Sequence, residues 1–279
     1  MTELVPEVQV YEPHRTGLPP LCSYFSELWR RRHFAAELSR ANMRAANTRT
    51  FFGQVWLILN PLLLAFVYYV LVNILSHHAG GIVYLNHLVA GIYGYYYVSG
   101  AITTGATSVV GSGALISNMV FPRLLMPLSA MRTAFFRFLP TLPVYLILHG
   151  VAGGPWSWSM LLAAYFFGCM TLLGAGLAAV FAASEVFFRD TTSFLPYILR
   201  LWLYLSPVIW YAEQVPHRIA PLMRFNPLYS MLGGWTDLIV RGHIPAPHTW
   251  ITAAIWAVTV FVIGSLFFVS REREFAVRL

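Results

Sequence analysis

Three stretches of this chain carry no charged side chain: residues 50–122, 138–184 and 242–270. A helix crossing a bilayer needs about 20 predominantly apolar residues. The first window holds two such runs, 55–75 and 88–110, separated by the polar 76–81. The second holds 138–151 and 160–183, turned by Gly153-Gly154-Pro155. Runs at 194–211 and 250–270 complete the set. The expectation is an all-α integral membrane protein with six transmembrane helices.

Composition agrees. Charged residues make up 10% of the 279, against roughly a quarter in a soluble domain, so the chain cannot cover itself with polar surface. All 18 basic residues are arginine. With no lysine there is no P-loop, no Schiff-base nucleophile and no Ser-Lys dyad, so any ATP used must be hydrolysed elsewhere. The arginines also orient the spans. Fifteen fall before the first run, between runs two and three, around the start of run five, and after run six; three fall in 212–248. The positive-inside rule then places both termini in the cytoplasm of a plasma (inner) membrane protein. Residues 1–20 hold three glutamates and four prolines and no apolar core, which reads as a disordered cytoplasmic segment and not a secretory signal. Cys22 and Cys169 are not expected to pair.

Leu21, Tyr24, Phe25, Leu28 and Trp29 recur at helical spacing, followed by Arg30-Arg31-Arg32, Arg40, Arg44 and Arg49. Residues 21–50 therefore read as an amphipathic helix on the inner leaflet, in contact with membrane lipids. An ordinary solvated helix is the other reading. The transmembrane domain is expected over 51–272 and a cytoplasmic tail over 273–279.

At the membrane entry, Gly53 permits close backbone approach, Trp56 suits an interface, and Asn60-Pro61 frees a backbone carbonyl. Between runs two and three, Pro122 and Pro127 bracket a short apolar turn with Phe121 and Arg123, fit for a small helix pressed into a partner's groove. Glu185-Val186-Phe187-Phe188-Arg189-Asp190 places aromatic and charged groups at another span end. Both could equally be connecting turns. In the long loop, Pro207 follows Ser206. After Asn226-Pro227, Leu228, Leu232, Trp235 and Ile239 mark a helix ending near Gly242, expected to dip back into the membrane as a re-entrant segment between spans five and six.

These motifs in this order, FGQVWLILNPL at 52–62, NMVFPRLLMPL at 118–128, EVFFRD at 185–190, LSPVIW at 205–210 and FNPL at 225–228, resemble the permease subunits of ABC-2 type exporters. The likeness is to the Wzm-like permeases that export lipid-linked polysaccharide, O-antigen or galactan, and it looks closest to those of actinobacterial galactan export. It runs from about 28 to 270. The resemblance implies short cytoplasmic coupling helices. Phe121, Pro122 and Arg123 would contact a separate cytosolic ATPase, with Arg189 and Asp190 as a second contact. It implies two copies of that ATPase holding ATP and Mg, a homodimer of this chain, and no cofactor or nucleic acid bound by the chain itself. Gly53, Trp56, Asn60, Pro61, Pro207, Asn226 and Pro227 would be structural or gating positions.

Tyr93, Tyr95, Tyr96 and Tyr97 crowd the second run, and tyrosine offers a flat face and a hydroxyl to sugar rings. Trp202 and Trp210 could extend such a lining, although an interfacial aromatic belt explains the tyrosines equally. Arg200, the cation inside a span, could receive a cargo phosphate or snorkel to the interface. Ala164, Gly168, Thr171, Ala175, Ala179 and Ala182 form a small-residue face on run four for close helix packing. His77, His78 and His87 read as an outer loop, and no metal site is expected. A drug or antibiotic exporter permease is the alternative within transport, and a membrane glycosyltransferase the alternative outside it.

Overall fold

The computed structural model describes residues 20–45, 53–76, 81–216 and 218–278. The expectations for 1–19, for His77 and His78, and for 46–50 lie outside the described residues. Helices account for the architecture: α1 (Leu21–Arg30), α2 (Arg32–Ala45), α3 (Trp56–Ser76), α4 (Gly81–Ala106), α5 (Gly113–Asn118), α6 (Leu125–Phe138), α7 (Thr141–Val151), α8 (Ser159–Phe187), α9 (Thr191–Leu205), α10 (Ala220–Met223), α11 (Pro227–Arg241), α12 (Pro247–Arg271) and α13 (Phe275–Arg278). Among the described residues there is no strand.

Among the described residues, four segments are long and apolar enough to cross a membrane: Trp56–Leu75, the α6–α7 run Leu125–Val151, Ser159–Phe187 and Pro247–Glu274. The other two expected spans differ from these for physical reasons. Helix α4 is 26 residues long, but it is surrounded by protein, so it can carry Asn86, His87 and a row of tyrosines and glycines that a lipid-facing helix could not. Helix α9 has 15 residues, about 22 Å at helical rise, and stops where the chain turns at Ser206-Pro207. The six-span count is therefore not established by length and composition.

Helix α8 is the axis of the bundle. It packs on α4, α6, α11 and α12, and its small residues let it do so. A β-carbon at Gly176 would come within 2.5 Å of the Val260 carbonyl oxygen of α12, and one at Gly264 would strike the Gly176 backbone in return. Ala175, Ala179 and Ala182 are buried as expected, whereas Ala164 and Gly168 are exposed. The packing face lies further along the helix than the sequence pattern places it. Helix α3, by contrast, leaves Leu63, Phe66, Val67, Leu71, Ile74 and Leu75 exposed.

Two sequence readings are sharpened. The amphipathic segment is two helices broken at Arg31, and α2 is docked on α6, where Thr133 donates to Ser39 Oγ at 2.9 Å. Helix α11 begins and ends at the expected signals. Asn226 accepts from the Leu228 amide at 3.0 Å, Pro227 stands at the first turn, and Gly242 adopts φ +65° with the following amide bonded to the Asp237 carbonyl. It is buried against α4, α8 and α12, which a helix projecting from the molecule would not be. His87 is 2% exposed inside α4, with its ring 4.2 Å from that of Tyr211, and not in a solvated loop.

Gly176→Ala should destabilise the purified protein by about 1–3 kcal/mol, read as thermal unfolding in detergent. Gly168→Ala, where the new β-carbon meets nothing within 4 Å, should be neutral or raise stability by about 0.5–1 kcal/mol.

Candidate functional site

Two features of the bundle combine shape with chemistry. The first is an open cleft between α3, α4 and the α6–α7 run, with a cavity volume of about 180 Å³. Trp56, Asn60 and Pro61 line it from α3, and Tyr93, Tyr96 and Tyr97 from α4. Pro61 has no amide hydrogen, so the Leu57 carbonyl at the same wall lacks its helical donor. Gly53, just before α3, holds φ +50° with open space where a side chain would be. It supplies backbone freedom at the entry and not the close approach expected of it.

The α4 tyrosines divide by direction. Tyr97 stacks on Phe167, centroids 4.5 Å apart, and its hydroxyl meets Thr171 Oγ1 at 2.7 Å, so its ring is a fixed wall. The Tyr93 hydroxyl is buried and has no partner among the described residues. Tyr96 is 41% exposed at the cleft. Tyr95 points the other way, donating to the Leu199 carbonyl and tying α4 to α9. It does not line the cleft.

Trp202 and Trp210 are not part of this lining either. Trp202 Nε1 donates to Asn226 Oδ1 at 2.7 Å, while Asn226 Nδ2 donates to the Leu205 carbonyl at 2.9 Å. Trp202, Asn226 and Pro227 thus pin the end of α9 to the start of α11. Pro207 belongs to the same turn, which inserts against α4 where a β-carbon on Gly91 would lie 3.1 Å from Val208 Cα. Trp210 donates to the Tyr204 carbonyl at 3.0 Å and edges a separate apolar groove. Arg200 is exposed on α9, near enough to Tyr68 and Tyr96 for electrostatic interaction but outside the cleft. Arg137 lines the cleft from α6, a role that the sequence reading, which uses it only to orient the spans, does not give it. Its place about four helical turns beyond Pro122 is the signal that the sequence offers.

The second feature is the end of the bundle built on Ile116, Phe121, Leu124, Val186, Phe268 and Phe275, which form one apolar cluster with Ala35 of α2. Phe121 and Pro122 are buried in it, Phe121 against Phe34 with centroids 4.8 Å apart. Arg123 is held by the last long helix: its amide donates to Glu272 Oε1 at 2.7 Å and its guanidinium to the Glu272 carbonyl. Tyr24 of α1 donates to the other Glu272 oxygen. Burial and the Glu272 charge push the Tyr24 hydroxyl above the ordinary phenol range. What projects is Val120, 92% exposed, with Met119 beside it. At the α8–α9 turn, Phe188, Arg189 and Asp190 are exposed. Glu185 is instead buried, accepting from the Thr192 amide at 2.9 Å and so fixing the turn. Among the described residues no three of His, Cys, Asp or Glu converge as a metal site would require.

Among the described residues, four apolar segments of spanning length, a buried tyrosine-rich helix packed on three of them, a lateral cleft and exposed apolar turns at one end define a polytopic membrane protein. Its relatives narrow that class. Over 209 residues, 74% of this chain and 79% of the relative, it is 26% identical to the O-antigen export system permease protein RfbA of Klebsiella pneumoniae. Over 254 residues, 90% of this chain and 96% of the relative, it is 24% identical to the protein of the same name from Myxococcus xanthus. No protein-family profile matches. These relatives bear out the resemblance to ABC-2 type, Wzm-like O-antigen export permeases drawn from the five motifs.

Glu272→Ala removes the acceptor shared by α1 and the 118–124 turn. Trypsin cleavage at Arg30–Arg32 should rise about tenfold in the folded protein, with Glu274→Ala as the control. Equal rates for the two variants would mean that this contact does not hold α1 in place.

Proposed function

We propose that the chain is the permease subunit of an ABC transporter that exports a lipid-linked polysaccharide, of galactan or O-antigen type, across the plasma membrane. The reading is carried by the similarity to an O-antigen export permease along 90% of the chain. The catalyst of ATP hydrolysis is then a partner, a separate cytosolic subunit holding ATP and Mg, present in two copies against a homodimer of this chain. The spans are α3, α4, the α6–α7 run, α8, α9 extended by its following turn, and α12. This even number agrees with cytoplasmic termini and with the arginine distribution.

In this arrangement the cytoplasmic end is the one bearing Val120 and Phe188. A partner groove would receive Met119 and Val120 at one turn and Phe188, Arg189 and Asp190 at the other. Phe121, Pro122 and Arg123 transmit force through their burial and through Glu272 instead of touching the ATPase. Closure of the ATPase dimer on ATP supplies the ligand energy that differs between two permease states. Displacement of the 118–124 turn moves α6, and with it one wall of the tyrosine cleft. The tyrosine faces suit loose contact with successive sugar rings. The exposed apolar face of α3 would meet lipid or the second copy.

Co-expression with the neighbouring ABC ATPase should yield a complex with equal numbers of both chains. Val120→Asp and Phe188→Asp should each reduce co-purification or ATP turnover at least about fivefold, the effect of burying a carboxylate in an apolar contact. Phe121→Ala should instead lower the yield of folded permease. Depletion of the chain should abolish a surface glycan; loss of drug resistance with the glycan intact would assign the drug-exporter alternative. A permease that purifies alone, with no ATPase bound, would refute the coupling.

A further inference from the structure

We infer that Arg137, with the Tyr93 hydroxyl and the Asn60 amide, forms a binding site for the phosphate group of an anionic amphiphile. The inference rests on the export reading for the side of the membrane from which the ligand arrives, and on the cleft alone for the phosphate.

Arg137 differs from the other half-buried arginines. Arg123 is bonded to Glu272 and Arg241 to Glu213 at 2.7 Å; Arg132, whose buried Nε also has no hydrogen-bond partner among the described residues, lies over the Phe136 ring at 5.0 Å and lines neither cavity. Arg137 makes no hydrogen bond or ion pair among the described residues, although it is only partly exposed and lines two adjoining cavities. No aspartate or glutamate lines either cavity. A guanidinium cannot lose its proton to escape burial, and a partly desolvated cation without a counter-ion is costly unless an anion joins it. The planar fork of five donors matches phosphate oxygens in particular.

The surroundings supply further donors. The Tyr93 hydroxyl is buried and has no partner among the described residues, and such a donor is destabilising until something accepts from it. Asn60 stands exposed on the same cleft. In the second cavity, Thr104, Thr107 and Ser108 already donate to carbonyls of their own helix. They have acceptor capacity left for sugar or water and little to offer an anion. The phosphate therefore belongs at Arg137, where the two cavities meet.

An amphiphile fits better than a soluble phosphate. Arg137 is one helical turn past Thr133, which bonds α2, so it sits next to the layer where the amphipathic segment lies on the bundle. From Asn60 and Pro61 the cleft wall continues into the exposed apolar flank of α3 at Leu63, Phe66 and Val67, where a hydrocarbon chain can lie. Arg200, which the sequence offers either a cargo phosphate or a snorkelling role, lines neither cavity.

The test is native mass spectrometry of the full-length protein in detergent with farnesyl diphosphate, farnesol or inorganic pyrophosphate as the probe. Farnesyl diphosphate should bind, and the other two at least about tenfold more weakly. Arg137→Gln should cost about tenfold in farnesyl diphosphate affinity, and Arg137→Lys should recover most of it as a point charge. Tyr93→Phe should weaken binding several-fold while leaving the unfolding temperature unchanged or higher, which a merely structural hydroxyl would not do; this variant carries the test if Arg137→Gln fails to fold. Unchanged affinity in Arg137→Gln and Tyr93→Phe, or farnesol binding as well as its diphosphate, would overturn the site. Pyrophosphate binding as tightly as farnesyl diphosphate would overturn the amphiphile. No ATPase is needed for the measurement, so a chain that binds the probe but recruits no ATPase would sink the export reading alone.

Discussion

Backbone oxygens occupy the space where β-carbons would stand at Gly176 and Gly264, and that near-contact between α8 and α12 sets the geometry of the bundle. Apolar side chains gain little from leaving lipid for protein, because the two environments are alike; helices in a membrane are held by close packing and by polar bonds between them. Helix α8 supplies the packing through glycine and alanine. The tyrosines supply the polar bonds, from Tyr95 to Leu199 and from Tyr145 to the Ile239 carbonyl at 3.0 Å. The cleft exists because α3 is not held this way. It contacts chiefly α4 and leaves most of one flank bare.

Much of this was legible in the sequence. The start and stop of α11 follow from Asn226, Pro227 and Gly242, since caps and left-handed glycines are local chemistry. The apolar spans of α3, α8 and α12 follow from length and the lack of charge. The tyrosine-rich character of α4 was also visible, but not its partition: which of four consecutive aromatics faces a cavity depends on where α6 and α9 pack. For the same reason Tyr95 and Trp202 were misread. Both carry polar tips, and a tip satisfied by a backbone carbonyl or a neighbouring amide looks the same in sequence as one offered to a ligand.

The charged groups were harder still. Arg123 reads as the exposed cation of a turn, yet its amide and guanidinium are taken by Glu272, about 150 residues away in sequence. Val120, inside the same motif but given no role by it, is the projecting tip. Glu185 shares its motif with Arg189 and Asp190, yet it is buried while they are exposed. Such inversions arise wherever a turn folds back on a hydrophobic cluster, because the cluster selects apolar residues irrespective of their motif and leaves the remainder outside.

The 118–124 turn and the wall of the cleft are parts of one body. Helix α6 starts one residue after the turn and reaches Arg137 without a break, about 18 Å along its axis. A helix that short does not bend appreciably, so a docking event at the turn and an anion at Arg137 act on the same rod from opposite ends. Linkage is symmetric for binding free energies. Any factor by which an occupied cleft alters affinity for a partner at the turn must equal the factor by which that partner alters affinity at the cleft. On the proposed transport reading, the chain would report to a motor whether it is loaded, through the same helix that would carry the motor's push.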